Sequence, residues 1–362
     1  MLSVNAFTII SLVILIALAT LVAYRGDVVL HFTKLSLGIS SQPELTAYRS
    51  HGSEDSVHII GRVTESWQKP TKRPTTLPSA LIEYLRYYLS YPLAGVAVTV
   101  RYGQETKVLQ TDEFGHYHAS FSTQPNVSAK AESWLTESPQ EVYKHDIIIS
   151  EAKAQYGIIS DIDDTVLVSG ATKKIKLIYR TVSKTAEERK AFPGVVSLYH
   201  KLVAGTSSQP NPIFYVSSSH WHLYEFLTTF FAVHNLPNGP LFLKPTGPIR
   251  EILKGIGTHD HKFHQIDHIM TLHPHLRFVL LGDSGQHDAE IYSQIANKYP
   301  DRILAIYIRD VTPYTDKLVE DAKNKLPASV PLISATSSSE FATHMQEIDL
   351  INTAQTDAPV AH

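Results

Sequence analysis

The chain has 362 residues, a hydrophobic fraction of 43% and a formal net charge of −3, the profile of an ordinary globular protein with room for two domains. So small a net charge predicts no nucleic-acid partner. The lack of cysteine excludes disulfides, a thiol nucleophile and cysteine-ligated zinc. Residues 1 to 24 carry no charged side chain, and Ala6 to Tyr24 is an almost continuous apolar run long enough to span a bilayer. No Lys or Arg precedes it, which favours an uncleaved anchor over a removed signal, although Ala17-Leu18-Ala19 would serve as a cleavage site. Arg25 and Lys34 follow the run, and positive charge marks the cytoplasmic side. Residues 1–25 are therefore read as a single-pass membrane anchor, with the rest of the chain in the cytoplasm.

Residues 26–145 read as a β domain. Val57 to Val63 is strand-like, Val96-Ala97-Val98-Thr99-Val100 is rich in β-branched residues, and Tyr117, Ala119 and Phe121 alternate after a turn at Thr111 to Gly115. Short strands joined by polar turns favour a sandwich. The Gly95-Val96 strand followed by the Thr111-Asp112 turn with Gly115 resembles small transthyretin-like modules. A proline-rich loop at Gln68 to Pro78 precedes a short helix capped by Ser79, with Leu81, Ile82, Leu85, Tyr88 and Leu89 on one face. That stripe is expected to pack on a core.

From Gly157 onward strands alternate with helical patterns, predicting an α/β fold with a parallel sheet. Gly157-Ile158-Ile159-Ser160 reads as a buried strand and runs into Asp161-Ile162-Asp163-Asp164-Thr165. Two carboxylates two residues apart at a strand end make a negative pocket that needs a cation. Asp161, ionised at neutral pH, can attack phosphorus without a separate base. Asp163 can protonate a leaving oxygen and later take a proton from water, and Thr165 can hydrogen-bond beside them. The plainer reading of the same five residues is an acidic turn. Ile213-Phe214-Tyr215-Val216 reads as a second buried strand, followed by Ser217-Ser218-Ser219. Phe278-Val279-Leu280-Leu281 reads as a third, followed by Gly282-Asp283-Ser284-Gly285-Gln286-His287-Asp288. Lys262 lies between them in a polar stretch ahead of a predicted helix. Ligands bind at the carboxyl ends of parallel strands, so these groups are expected to share one crevice.

The set resembles the four motifs of the haloacid dehalogenase superfamily of aspartate-nucleophile phosphatases. That resemblance implies Asp161 as nucleophile and Asp163 as acid/base. It implies Ser217 as phosphate ligand, with Ser218 as its rival, and Lys262 as the neutralising lysine, with Lys244 and Lys254 as competitors. Asp283 would complete a Mg²⁺ site with Asp161 and the Asp163 carbonyl, and Asp288 would stand behind that site or share the metal. Gly282 to Gln286 with Asp288, Glu290, Ile291 and Tyr292 narrows the resemblance to the actin-patch-protein-type phosphatidate phosphatase family. Phe192 to Val195, Tyr215 to Ser219 with Trp221, and Ile308 to Val311 fit the same family. The match covers about residues 145 to 345, and Ala289 stands where the family has proline. It implies a Rossmann-like phosphatase domain over 146–345 with a small cap, Mg²⁺ as cofactor, and phosphatidate hydrolysis to diacylglycerol and phosphate. A soluble phosphomonoester is the first alternative substrate, and a non-catalytic membrane-anchored scaffold is an alternative from another class.

Residues 166 to 192 are the expected cap. Their Lys173, Lys174, Lys176, Arg180, Lys184, Arg189 and Lys190 outnumber Glu187 and Glu188, a balance that suits either a solvated face or an anionic membrane surface. Val195 to Val203 is predicted as the first helix on the sheet. Leu223, Phe226, Leu227, Phe230 and Phe231 follow at helical spacing and are expected to pack on the sheet rather than grip acyl chains. His259, His261, His264 and His268 surround Lys262; a second metal site there is the minor reading beside polar surface. Residues 346–362 read as a tail.

Overall fold

A computed structural model describes residue 31 and residues 42–65, 91–123, 129–150, 153–167, 190–244, 258–311 and 316–352. The anchor expected at residues 1–25, the helix expected after Ser79, most of the basic cap segment and residues 353–362 lie outside the described residues. The expected tail from 346 on begins later, since Leu350 and Ile351 are buried in the core of the C-terminal part. Among the described residues no helix is long and apolar enough to cross a membrane.

The N-terminal part is built from eight strands: β1 (Pro43–Ala47), β2 (Ser50–Gly52), β3 (Ser56–Glu65), β4 (Ala97–Tyr102), β5 (Glu105–Gln110), β6 (His116–Ser122), β7 (Lys130–Leu135) and β8 (Tyr143–Ile149). They pair in the order β1-β3-β2-β8-β7-β4-β5, with β6 on β3, mostly antiparallel, β2 with β8 being parallel. Alternation decides their faces: Tyr117, Ala119 and Phe121 of β6 point inward while His118 and Ser120 are exposed. Val57, Ile59, Val63, Val98 and Val100 join them in one apolar core. The predicted turn forms as Asp112 Oδ1 accepts from the backbone N–H groups of Phe114 and His116, both at 2.8 Å. Gly115 closes it at φ 77°, where a Cβ would lie 2.3 Å from the Val63 carbonyl oxygen.

The C-terminal part is a six-stranded parallel sheet of β9 (Gly157–Ser160), β10 (Ile213–His220), β11 (Leu241–Lys244), β12 (Phe278–Asp283), β13 (Ile303–Arg309) and β14 (Leu332–Ala335). The order is β11-β10-β9-β12-β13-β14. Strands covered on both faces must be apolar throughout, and β9 and β12 are buried at every position. One face carries α1 (Val195–Ala204), α2 (Tyr224–Val233) and α6 (Ser338–Glu347), which bury Leu198, Leu202, Leu227, Phe230, Phe231 and Phe341 against it. The opposite face carries α3 (Thr258–Leu272), α4 (Asp288–Lys298) and α5 (Asp316–Asn324) through Ile266, Ile269, Ile291, Ile295 and Val319. The α2 aromatics are thus sheet-packing residues, as their spacing predicts. The chain moves one way from β9 to β10 and β11, then returns to place β12 on the other side of β9. That reversal opens a crevice at the carboxyl ends of β9, β10 and β12.

Candidate active site

Asp161 is the first residue past β9, fully buried, and its backbone N–H continues the ladder to the Leu281 carbonyl at 2.9 Å. The chain then turns sharply. Asp164 adopts φ 57°, a left-handed conformation that costs a non-glycine residue and recurs at functional sites. Its N–H donates to Leu167 O at 2.8 Å. This turn brings Asp163 back over the sheet end. Thr165 is buried and its hydroxyl has no partner among the described residues, while its carbonyl accepts from Arg309 Nε at 3.1 Å.

Lys262, on α3, is 2% exposed. Its Nζ lies 2.8 Å from Asp161 Oδ1 and 2.5 Å from Asp288 Oδ1. It is the lysine that meets the aspartates: Lys244 ends the edge strand β11, and Lys254 lies outside the described residues. Asp288 opens α4, and its other oxygen accepts from the Asp283 N–H at 3.2 Å. Asp283 ends β12 and is held by the Gly285 N–H at 2.7 Å and by Gln286 Nε2 at 3.2 Å. Asp161, Asp283 and Asp288 place carboxylate oxygens within 4.8 Å of one another. Neither oxygen of Asp161 accepts a well-directed hydrogen bond among the described residues.

Burial pushes the Asp161 carboxyl up to about 8; Lys262 pulls it down but does not outweigh burial, to which the repulsion of Asp288 and Asp163 adds. Burial also raises Asp283 well above the usual carboxylate range, with Asp288 and Asp161 adding to it. Lys262 stays charged: burial lowers its affinity for protons, but Asp161 and Asp288 outweigh that. One ammonium therefore faces three buried carboxylates, and the expectation that Asp161 is ionised at neutral pH needs further positive charge. All the donors are hard oxygens, and Asp161 Oδ2 has no partner among the described residues, which is the ligand chemistry of a Mg²⁺ ion.

Asp163 Oδ2 accepts from the Ser217 hydroxyl at 3.1 Å and from the Ser219 hydroxyl at 2.7 Å. Ser217 Oγ in turn accepts from the Ser219 N–H at 2.9 Å. Burial raises the Asp163 pKa, while the Ser219 and Ser217 donors pull it down by favouring the carboxylate. Ser218 makes no side-chain hydrogen bond among the described residues.

The crevice therefore gathers Asp161, Asp163, Thr165, Ser217, Lys262, Asp283 and Asp288. Sequence reasoning gave no role to Ser219 or Arg309. Arg309 ends β13 and donates to Thr165 O, to Thr336 O at 3.1 Å and to Ser338 Oγ at 2.9 Å. Its guanidinium stacks 4.5 Å from the Phe192 ring, so it braces the acidic turn from behind. A charge closing an otherwise apolar strand was the available signal. The histidines near Lys262 behave differently. His261 is partly buried, and burial with Lys244 and His220 pushes it down to about 4. His264 is exposed, and the His259 side chain is outside the described residues. Among the described residues, the convergent metal-ligating group is the aspartate trio.

Comparison with known proteins points to the same segment. The profile of the phosphatidate phosphatase APP1 catalytic domain matches residues 156–310. Phosphatidate phosphatase APP1 of Saccharomyces cerevisiae is 32% identical over 176 residues, 46% of this chain and 29% of that protein. An uncharacterised protein of Schizosaccharomyces pombe is 26% identical over 245 residues, 63% of this chain and 39% of that protein. The chain thus spans well under half the length of these relatives. Among solved structures, a carbohydrate acetylesterase from Xanthomonas citri aligns at a TM-score of 0.30 and 9% identity, covering 82% of this chain and 69% of that one, too weak a likeness to argue from. Every group of the crevice lies within residues 156–310, the segment that matches the phosphatidate phosphatase APP1 catalytic domain.

Proposed function

We propose that this protein is a Mg²⁺-dependent phosphatase that hydrolyses phosphatidate to diacylglycerol and phosphate through an aspartyl-phosphate on Asp161. The observation that carries the reading is the buried Asp161 carboxylate at the switch point, beside Lys262 and facing an Asp163 held by two serines. An Asp161 oxygen attacks phosphorus, and the bond to the glycerol oxygen breaks as Asp163 delivers a proton to it. Asp163 then takes a proton from water, whose oxygen attacks the phosphoryl group, releasing phosphate and restoring the carboxylate. Lys262 and a Ser217 hydroxyl neutralise and hold the phosphate oxygens. Asp161, Asp283 and Asp288, with Asp163 beside them, would hold Mg²⁺, which supplies positive charge against the dianion and orients it for in-line displacement.

On this reading the parallel sheet is a haloacid dehalogenase-like core and the N-terminal strands a transthyretin-like sandwich. The apolar run of residues 6–24 would keep the enzyme at the bilayer that contains its substrate, with the remainder on the cytoplasmic side.

The test is phosphate release by the full chain, with and without Mg²⁺, on phosphatidate in mixed micelles and on soluble phosphomonoesters. Asp161→Asn serves as the blank. Mg²⁺-dependent release from phosphatidate, absent in Asp161→Asn, is the expected result. Release from soluble esters alone keeps the chemistry and discards the lipid substrate; near-normal turnover in Asp161→Asn discards the mechanism.

A further inference from the structure

Ser217 and Ser219 hold Asp163, yet the sheet does not hold the serine run. The ladder of β10 with β9 ends at Tyr215 opposite Ser160. Its ladder with β11 breaks after Val216 and resumes at His220 opposite Lys244. Such irregularities re-aim side chains beside functional sites, and they leave the intervening backbone to be fixed from its two ends. One end is Val216, buried in the sheet. The other is His220, paired with Lys244 and followed at once by Trp221, 6% exposed, which opens the 3₁₀ turn Trp221–Leu223.

The rings that bury Trp221 come largely from the N-terminal part. Tyr48 stacks on the indole with centroids 4.3 Å apart and planes within 16°. His116 approaches at 5.7 Å. Tyr48 is 3% exposed and packs within the apolar cluster of the parallel sheet. Its backbone is tied to the N-terminal strands: the N–H donates to Ile60 O at 3.2 Å, and the carbonyl accepts from His145 Nδ1 at 3.0 Å. The next residue extends the seam. The Arg49 N–H donates to the Tyr224 hydroxyl at 2.6 Å, and its guanidinium donates to Gly239 O at 3.2 Å.

We propose that Tyr48 is a positioning residue for the reaction: by stacking on Trp221 it fixes the Ser217–Ser219 run, and with it the carboxylate of Asp163. The N-terminal strands are then part of the catalytic unit rather than a separate module. This rests on the phosphatase reading above for the identity of the reaction. The stack leaves substrate untouched, so its loss acts on turnover rather than on binding.

Full-length variants test it. Tyr48→Ala removes the stack, Tyr48→Phe keeps it, and Val100→Ala trims the N-terminal core alone. On phosphatidate micelles Tyr48→Ala is expected to lower kcat about tenfold, since small misplacements are costly in catalysis, with KM little changed. Tyr48→Phe restores kcat, and Val100→Ala lowers Tm without lowering kcat. Backbone hydrogen exchange over residues 217–221 rises in Tyr48→Ala and not in Val100→Ala. An unchanged kcat in folded Tyr48→Ala overturns the inference, as does an equal fall in Val100→Ala. If the wild type releases phosphate from no ester, the phosphatase reading falls by itself. The exchange data then decide the positioning, and unchanged protection over 217–221 in Tyr48→Ala overturns it. Should Tyr48→Ala fail to fold, Tyr48→Leu, apolar but unable to stack, carries the same expectations.

Discussion

Lys262 shows what a single residue does in this site. Its ammonium is shared between Asp161 and Asp288, and all three groups are shielded from water. Lys262→Met would leave two carboxylates buried without their partner, a change expected to cost about 3–5 kcal/mol. Chemical denaturation without divalent cation checks this; an unchanged midpoint would mean that the pair carries no net stabilisation. The serines separate in the same way. A hydrogen bond to a charged group contributes about 1.5–3 kcal/mol, so Ser219→Ala, which removes the 2.7 Å bond to Asp163, is expected to lower kcat by about tenfold or more. Ser218→Ala should stay near wild type, and steady-state kinetics of the two variants decide the matter. Ser217 was legible because it directly follows the apolar run. Ser219 was legible in principle, since alternation along a strand puts residues 217 and 219 on one face and 218 on the other. Three identical serines hid that signal.

At the scale of elements, the seam between β12 and α4 carries the acidic trio. Gly282 makes it possible: a Cβ there would lie 2.6 Å from Asp288 Oδ2 and 2.9 Å from the Tyr292 ring. Gly282→Ala should therefore displace Asp288, weaken the grip on Lys262 and raise the Mg²⁺ concentration needed for half-maximal activity. A metal titration identical to wild type would show that the helix accommodates the methyl group. The strands β9, β10 and β12 were legible as apolar runs ending in polar residues. Their order was not, because a run buried on both faces has no sidedness to read. Edge strands such as β5, exposed at five of its six positions, bury too little to leave a periodic trace.

Across the whole molecule, histidines line the seam between the two sheets. His51 of β2 stacks on His58 of β3 at 5.4 Å, and His268 of α3 lies 6.2 Å and 6.1 Å from them. His273, just past α3, packs 5.0 Å from Phe214. Asp267, beside His268, is bound to Lys298 and Tyr299. Burial holds all four imidazoles below their ordinary 6.5, His51 well below it and His273 at about 4; neighbouring imidazoles add to this for His51, His58 and His273, Arg302 adds to it for His273, and Asp267 partly offsets it for His268. The unfolded chain takes up these protons first. Stability is therefore full above pH 6.5 and is lost as pH falls from there toward 4. For His273 alone the loss between pH 7 and pH 5 is about 2 kcal/mol. His273→Phe should flatten that part of the profile, measured as the difference in denaturant midpoint from wild type across the range. Parallel profiles would show that His273 does not titrate in the seam.

The amino-acid sequence by itself determined the chemistry on offer: an acid pair after a buried strand, a serine run after a second, an acidic cluster after a third, and no cysteine. Such signals are local, because each strand and the polar residues that end it are neighbours in the chain. The tertiary structure alone decided which groups meet. It selected Lys262 over Lys244, set Ser219 beside Asp163, braced the acidic turn with Arg309 and seated Trp221 on Tyr48. Those contacts join residues as many as 173 positions apart, and they depend on strand order and sheet-to-sheet packing, which follow from the balance of the whole core rather than from any short stretch of sequence.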